Sequence, residues 1–310
     1  MEFWHIKDVV AEGLEFINTA RNSDRLMVGL TSGFIDLDIL TTGFHPSDFV
    51  VVAGRPGTGK SSLMLSMALH IALEENVPVA IFSLETTKRQ LILRMLSILS
   101  GVPLQNIRRG FVSNEDWVKI VRLGMELSAR DIYIDDSPML TITEFRTKSK
   151  KLREEKNVGI IFVDYLQLLK TPYKGISRQE EVAEISRNLK ALAKELDVPV
   201  VALAQLSRQV EKRKDRRPKL MDLRESGQIE QDADIILFIH RPSAYKLNPS
   251  PEEERIAEII VAKQRQGPTG IIKLSFVKET TAFTNLPPTY FRPKLVEEKE
   301  TTSEDLELDF

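Results

Sequence analysis

From Phe49 onward the chain alternates short apolar runs with longer amphipathic stretches. The runs "DFVVVAG", "VPVAIFSLE", "DIYIDD", "VGIIFVDYLQLL", "VPVVALAQL" and "ADIILFIHR" are rich in branched and aromatic residues and predict six strands. Between them, helical spacing of apolar positions predicts helices over Ser61 to Glu75, Thr87 to Ser100, Ser113 to Ala129, Ile142 to Glu155 and Glu180 to Leu196. Near-continuous apolar strands separated by helices imply an α/β fold with a mainly parallel sheet covered on both faces. Ligands then bind beyond the carboxyl ends of the strands. Further on, "AEIIVAKQ" and "GIIKLSF" flank "QGPTG" and predict a β-hairpin that carries Lys263 and Arg265 at its tip.

Ahead of this region Phe3, Ile6, Val10, Leu14 and Ile17 recur at three- and four-residue spacings, which predicts one amphipathic helix whose apolar stripe must be covered by something. The organisation expected is a helix over residues 1–22, an α/β domain over 23–290 and a tail over 291–310. The tail is polar and acidic, with too little apolar surface to order itself. Within the domain, "VEKRKDRRPKLMDLRESGQIEQDAD" crowds Lys212, Arg213, Lys214, Arg216, Arg217 and Lys219 together and predicts a mobile loop.

Composition narrows the chemistry. Among 310 residues there is no cysteine, which removes disulfides, thiol catalysis and thiolate zinc sites, and the four histidines are scattered. Any metal is expected to arrive with a ligand. The net charge of −2 gives no overall attraction to nucleic acid, so such a role must rest on local patches. No apolar run approaches the ~20 residues that span a bilayer, and no leader pattern opens the chain, so an intracellular protein without membrane partners is expected.

"GRPGTGKS" fulfils G-x-x-x-x-G-K-[ST] and lies directly between a strand and a helix, as a phosphate-binding loop requires. Gly54, Arg55, Pro56, Gly57, Thr58, Gly59, Lys60, Ser61 and Ser62 are the candidate nucleotide-binding residues. The glycines let amide hydrogens face a phosphate, Lys60 bridges the outer phosphates, and Ser61 offers a hydroxyl to Mg²⁺. Asp164 ends an apolar strand and is the candidate acidic partner of that ion. Glu85, at another strand end, can accept the proton of an attacking water; its plainer reading is a charge at the start of the following helix. Gln205 ends a third strand and can hydrogen-bond a terminal phosphate.

These strand-end motifs in this order, followed by "DLRESGQIEQDADIILFIHR" and "IIVAKQRQGPTGIIKLSF", resemble the ATPase domain of the DnaB family of bacterial replicative helicases, over about Val28 to Asn285. The resemblance implies a RecA-like P-loop NTPase fold and a homo-hexameric ring that hydrolyses ATP with Mg²⁺. Such a ring translocates 5′ to 3′ on single-stranded DNA to part forked DNA in the bacterial cytoplasm. It implies Glu85 as the catalytic carboxylate, Gln205 as the γ-phosphate sensor, and Lys263 and Arg265 as groups lent to the neighbouring subunit's ATP. It also implies a DNA-backbone loop at Arg224, Glu225 and Gly227, to which local charge adds Arg208, Lys212 and Arg213. Members of the family usually carry an N-terminal helical collar that engages primase, whereas here one helix resembling the linker helix precedes the ATPase domain, so primase is not implied as a partner while a helicase loader remains open. A RecA or RadA type recombinase and an ATP-gated switch or loader are the competing readings.

Overall fold

Phe49, Val51 and Ala53 face one side of strand β1 (Phe49–Gly54), and Val50 and Val52 face the other; all five are fully buried. A strand apolar on both sides needs cover on both sides, and helices supply it. The computed structural model describes residues 3–22, 28–173, 175–246 and 248–287. Helix α1 (Ile6–Asn22) comes first, then α2 (Ile35–Thr41), β1, α3 (Lys60–Leu73), β2 (Val79–Ser83), α4 (Lys88–Ser100), α5 (Leu104–Arg109), α6 (Asn114–Ser128) and β3 (Ile132–Asp135). After these come α7 (Ile142–Lys156), β4 (Ile160–Asp164), α8 (Arg178–Leu196), β5 (Val200–Gln205), α9 (Gly227–Asp232), β6 (Ile235–His240), α10 (Pro251–Arg255), β7 (Ile256–Gln264), β8 (Gly270–Val277) and β9 (Ala282–Asn285).

The nine described strands form one sheet in the order β3-β2-β4-β5-β1-β6-β7-β8-β9. The first six in that order run parallel, and β6 to β9 are antiparallel. The expected mainly parallel α/β sheet with a C-terminal hairpin is therefore present, extended by β9. One face packs Leu63, Met64 and Met67 of α3 and Leu91 and Met95 of α4 against Val50, Val52, Ile81 and Phe162. On the opposite face Phe145 of α7 and Ile185 and Leu189 of α8 pack against Phe49, Val51 and Ile161. There Phe82 and Phe145 meet edge to face, with ring centroids 4.6 Å apart. Truncating such a buried aromatic costs about 3–5 kcal/mol.

Five elements outside the sequence expectation are short: α2, α5, α9, α10 and β9. The longer helices start where their caps dictate. Thr87, Thr141 and Ser177 each accept from the main-chain N–H three residues on, and Gln90, Glu144 and Glu180 return the bond.

The segment expected to be a mobile loop is instead pinned to the domain. It holds two 3-10 turns, Arg208–Lys212 and Leu220–Ser226, followed by α9, with Val210, Leu223 and Ile229 buried. Arg213 donates to Asp222 (2.8 Å) within the segment and Arg217 pairs with Glu258 of β7 (2.5 Å), so ion pairs hold what composition marks as free. The expectation of a disordered tail falls on residues outside those described. Among the described residues no helix is long and apolar enough to cross a membrane.

Candidate active site

The carboxyl ends of β1, β2, β4 and β5 lie side by side because these strands are parallel and adjacent in the sheet. Strand β1 runs into the loop 54–59 and then into α3. Gly57 (φ +77°) and Gly59 (φ +102°) occupy the left-handed region that side chains disfavour, and a Cβ on Gly59 would meet the Phe283 ring at 2.9 Å. Lys60 Nζ donates back to the carbonyls of Gly54 (3.1 Å) and Arg55 (3.3 Å), which draws the loop around the ammonium. Burial pushes the Lys60 pKa down, while the carboxylates of Asp164 and Glu85 oppose that shift.

Ser61 Oγ donates to Asp164 Oδ2 at 2.5 Å. Asp164 is only 1% exposed, and burial raises its pKa against the opposing hydrogen bond from Ser61. A hydroxyl and a carboxylate held together are hard oxygen donors, the pair that suits Mg²⁺ alongside phosphate oxygens. Leu84 N–H donates to Asp164 O (2.8 Å), which carries the β2–β4 ladder one step further and sets Glu85 beside Asp164. Helix α4 begins only at Lys88, with no acidic residue in its first turn, so Glu85 is not a helix-start charge.

Lys60, Ser61, Glu85 and Gln205 line one cleft of about 350 Å³. Pro56, Gly57, Gly59 and Ser62 also line it. Two of the loop's side chains point elsewhere. The Arg55 side chain, 7% exposed as a residue, donates through Nη1 to Leu206 O (2.7 Å) and through Nε to Glu211 (2.8 Å). Thr58 Oγ1 donates to Arg55 O at 2.7 Å. Both instead border a second cleft, of about 370 Å³, with Arg216 and Tyr245. The reason is local: a buried guanidinium needs acceptors, and the chain leaving β5 offers a carbonyl and a carboxylate.

The sequence reading missed Arg94, on α4, and the wall formed by Tyr165, Leu104, Phe276 and Thr281. An arginine on a helix surface carries no signal by itself, and Phe276 reaches the cleft from β8, more than 200 residues after the phosphate loop. Arg94 adds a positive field that favours ionised Asp164.

The hairpin departs from its expected geometry. Lys263 lies within β7, and the turn occupies residues 265–269. A bulge at Ala262, between the pairs Ile236↔Lys263 and Leu237↔Val261, turns Lys263 toward α9. Its Nζ donates to the carbonyls of Glu230 (2.6 Å), Gln231 (3.3 Å) and Ala233 (2.7 Å). An ammonium has three N–H groups, so in this chain all three of Lys263 are matched by main-chain carbonyls. Arg265 contacts Gln231 O (2.5 Å) and Asp234 Oδ1 (3.5 Å). With five N–H groups and a half-exposed side chain it keeps donors for another partner.

A family model described as "DnaB-like helicase C terminal domain" matches residues 29–285. The chain belongs to that family. This DnaB-type domain is 46% identical over 285 residues to the replicative DNA helicase DnaB of Geobacillus stearothermophilus, and 45% identical to the replicative DNA helicase DnaC of Bacillus subtilis (strain 168). Each alignment takes in 92% of this chain and 62% of the relative. Among solved structures, one described as an ATPase domain superposes with a TM-score of 0.85 at 39% identity, over 92% of this chain and 100% of that one. "The Structure Of A DnaB-Like Replicative Helicase And Its Interactions With Primase" gives 0.82 at 39% identity, over 92% and 68%.

In this DnaB-type domain the expected DNA-facing residues divide. Arg208 and Lys212 are placed on the turn after β5, where Arg208 is exposed. Arg213 is tied inward to Asp222 and to Arg217 O (2.7 Å), so its guanidinium already has an anionic partner within the chain. Gly227 opens α9, while the side chains of Arg224 and Glu225 lie outside the described residues. The α1 stripe is uncovered: Ile6, Val10, Leu14 and Ile17 are exposed, as are Phe3 (89%) and Trp4 (72%) just ahead of the helix. A second apolar stripe lies open on α6, at Trp117, Val118, Val121 and Met125.

Proposed function

We propose that this domain is the ATP-driven motor of a replicative DNA helicase, which works as a homo-hexameric ring, moves 5′ to 3′ on single-stranded DNA and parts the duplex at a fork. The observation that carries the reading is the single cleft where Lys60, Ser61, Glu85 and Gln205 converge, with Asp164 directly behind Ser61. A lysine at a helix start, a hydroxyl–carboxylate pair, a second carboxylate and a neutral amide are the parts that phosphoryl transfer from a nucleoside triphosphate needs.

In this reading the amides of the loop 54–59 and Lys60 bind the outer phosphates. Ser61 and Asp164 would hold Mg²⁺, which when bound neutralises phosphate charge. Glu85 takes a proton from the attacking water at a carboxylate oxygen, and Gln205 donates its amide to the terminal phosphate. Arg265 reaches the nucleotide of the adjoining subunit, with Lys263 fixing the strand that carries it. The exposed α1 stripe is covered by a neighbour, for which the open face of α6 has matching apolar character. Burying two such stripes on each other supplies about 25 cal/mol per Å² of apolar surface toward ring assembly. Arg208 and Lys212 contact phosphates of single-stranded DNA without reading bases.

The test is native mass measurement with and without ATP and Mg²⁺, together with ATP turnover and fork unwinding with and without single-stranded DNA. The expected result is a hexamer whose turnover rises on DNA and which unwinds a fork bearing a 5′ tail. Strand exchange without unwinding would replace this reading with a recombinase, and tight ATP binding with DNA-independent, negligible turnover would replace it with a switch.

A further inference from the structure

The ladder between β4 and β5 stops at Val163↔Ala202, yet β5 runs on to Gln205, paired on its other side with Gly54 of β1. Beyond that pair β4 parts from β5, stays on the β2 ladder through Asp164 and then enters the 3-10 turn Leu166–Leu168. The main chain at Gln205 would lose its neighbour there. Gln167, in that turn, supplies one: its Oε1 accepts from Gln205 N–H (3.2 Å), and its Nε2 donates to Gln205 O (3.3 Å). A primary amide offers a donor and an acceptor side by side, as a peptide unit does, so one side chain substitutes for the missing rung of the sheet. Gln167 is itself anchored, because Arg178 at the start of α8 donates to its carbonyl. On the side of the phosphate loop, the next residue is gripped as well: Arg55 Nη1 donates to Leu206 O, and Leu206 N–H to Gly54 O (3.3 Å).

We propose that Gln167 is a positioning residue that clamps the main chain of Gln205, so that the Gln205 amide is held toward the terminal phosphate of the nucleotide. The proposal rests on the ATPase reading of the cleft and deepens it. Gln167 does not border the cleft, whereas Gln205 does. The clamp reaches from the turn after Asp164 to the end of the neighbouring strand, so the residue behind the cation site and the residue facing the phosphate share one rigid frame. A shift of about 1 Å in a group that contacts the reacting phosphate costs up to ~10²-fold in rate.

The experiment uses the full chain and the variants Gln167→Ala, Gln167→Glu, Gln205→Ala and the double variant Gln167→Ala with Gln205→Ala. Steady-state ATP turnover is measured with an oligo-dT strand present. The ratio of affinities for ATPγS and ADP with Mg²⁺ is measured in parallel, because it can be read in variants that no longer turn over. The expected result for Gln167→Ala is kcat lower by ~10- to 100-fold with KM within about twofold of wild type, and a reduced ATPγS-to-ADP ratio. Gln167→Glu falls at least as far, since its carboxylate would face the Gln205 carbonyl. In the Gln205→Ala background, Gln167→Ala changes the affinity ratio no further, because the two residues act as one unit. An unchanged kcat and ratio in Gln167→Ala would overturn the proposal. So would the same fold-change in both backgrounds, or a lowered melting temperature with an unchanged ratio, each of which marks ordinary structural support. A wild-type protein with negligible ATP turnover, with or without DNA, would remove the ATPase reading and this inference together, whereas an active wild type with an unaffected Gln167→Ala removes the inference alone.

Discussion

Lys60 and Lys263 are the same group in similar surroundings and serve opposite ends. Both ammonium groups donate to main-chain carbonyls, and burial lowers the pKa of both. Lys60 takes its two acceptors from its own loop, five and six residues back. Lys263 takes three from α9 and the residue just after it, some thirty residues away, and thereby ties a strand to a helix. A cation satisfied locally and incompletely stays available to a ligand, while one satisfied by a distant element becomes part of the frame. Arg265 and Lys263 differ instead in completeness: Arg265 has two acceptors for five N–H groups, whereas Lys263 has three for three.

The largest effect should come from the available cation at the hairpin. Arg265→Ala is expected to lower ATP turnover by ~10³- to 10⁵-fold while nucleotide affinity changes little, measured by steady-state kinetics and fluorescent-nucleotide titration. Near-normal turnover would break the contrast at its sharpest point. Lys60→Ala should cost ~10²- to 10³-fold in turnover together with nucleotide affinity, and leave urea unfolding within about 0.5 kcal/mol of wild type. Lys263→Ala should do the reverse. Its unfolding free energy drops by about 1.5–3 kcal/mol as three carbonyls lose a charged donor, and its turnover falls less than that of Arg265→Ala.

Asp164 extends the comparison to an anion held for use at some cost to the fold. Its carboxyl pKa is raised, chiefly by burial, so the ionised form is the one the folded protein disfavours. Stability linked to this group is therefore full below the ordinary carboxylate range and lost as pH rises through the raised value. Asp164→Asn should lose ATP turnover yet melt no lower than wild type at neutral pH, and any advantage should vanish below about pH 4. A marked drop in melting temperature at pH 7 would show that the ionised form supports the fold. The smallest effect belongs to the loop after β5. Lys212→Ala should reduce the salt slope of single-stranded DNA binding by about 0.7 with melting unchanged, and Arg213→Ala should lower melting with little change in slope.

The sheet and the phosphate loop were legible because each is written in a continuous stretch: "FVVVAG" is apolar on both faces, and "GRPGTGKS" states its own geometry. The strand-end residues Glu85, Asp164 and Gln205 were legible for a related reason, since parallel strands bring their ends to one edge. What escaped depends on partners far along the chain. Arg217 reads as loose charge until Glu258, 41 residues on, is seen to neutralise it. The Arg55 guanidinium reads as free for a ligand until Glu211 and Leu206 O are seen to take its donors. Gln167 is one amide after a strand, and its partner is 38 residues away. Short elements such as α5, with six residues, carry too few apolar positions for a period to show.

The place of β1 at the centre of the sheet also sets an order of events for the growing chain. Its parallel partners are β5, where Phe49 pairs with Val200, and β6, where Val50 pairs with Ile235. Neither exists on the ribosome until roughly 150 residues after β1 has been made. The strand that carries the phosphate loop therefore waits, uncovered on both edges, while α3 and the β2–β3–β4 block take shape beside it, and such distant pairing makes for slow, late closure. The loop that β1 carries is therefore expected to take its final form only once β5 and β6 have emerged.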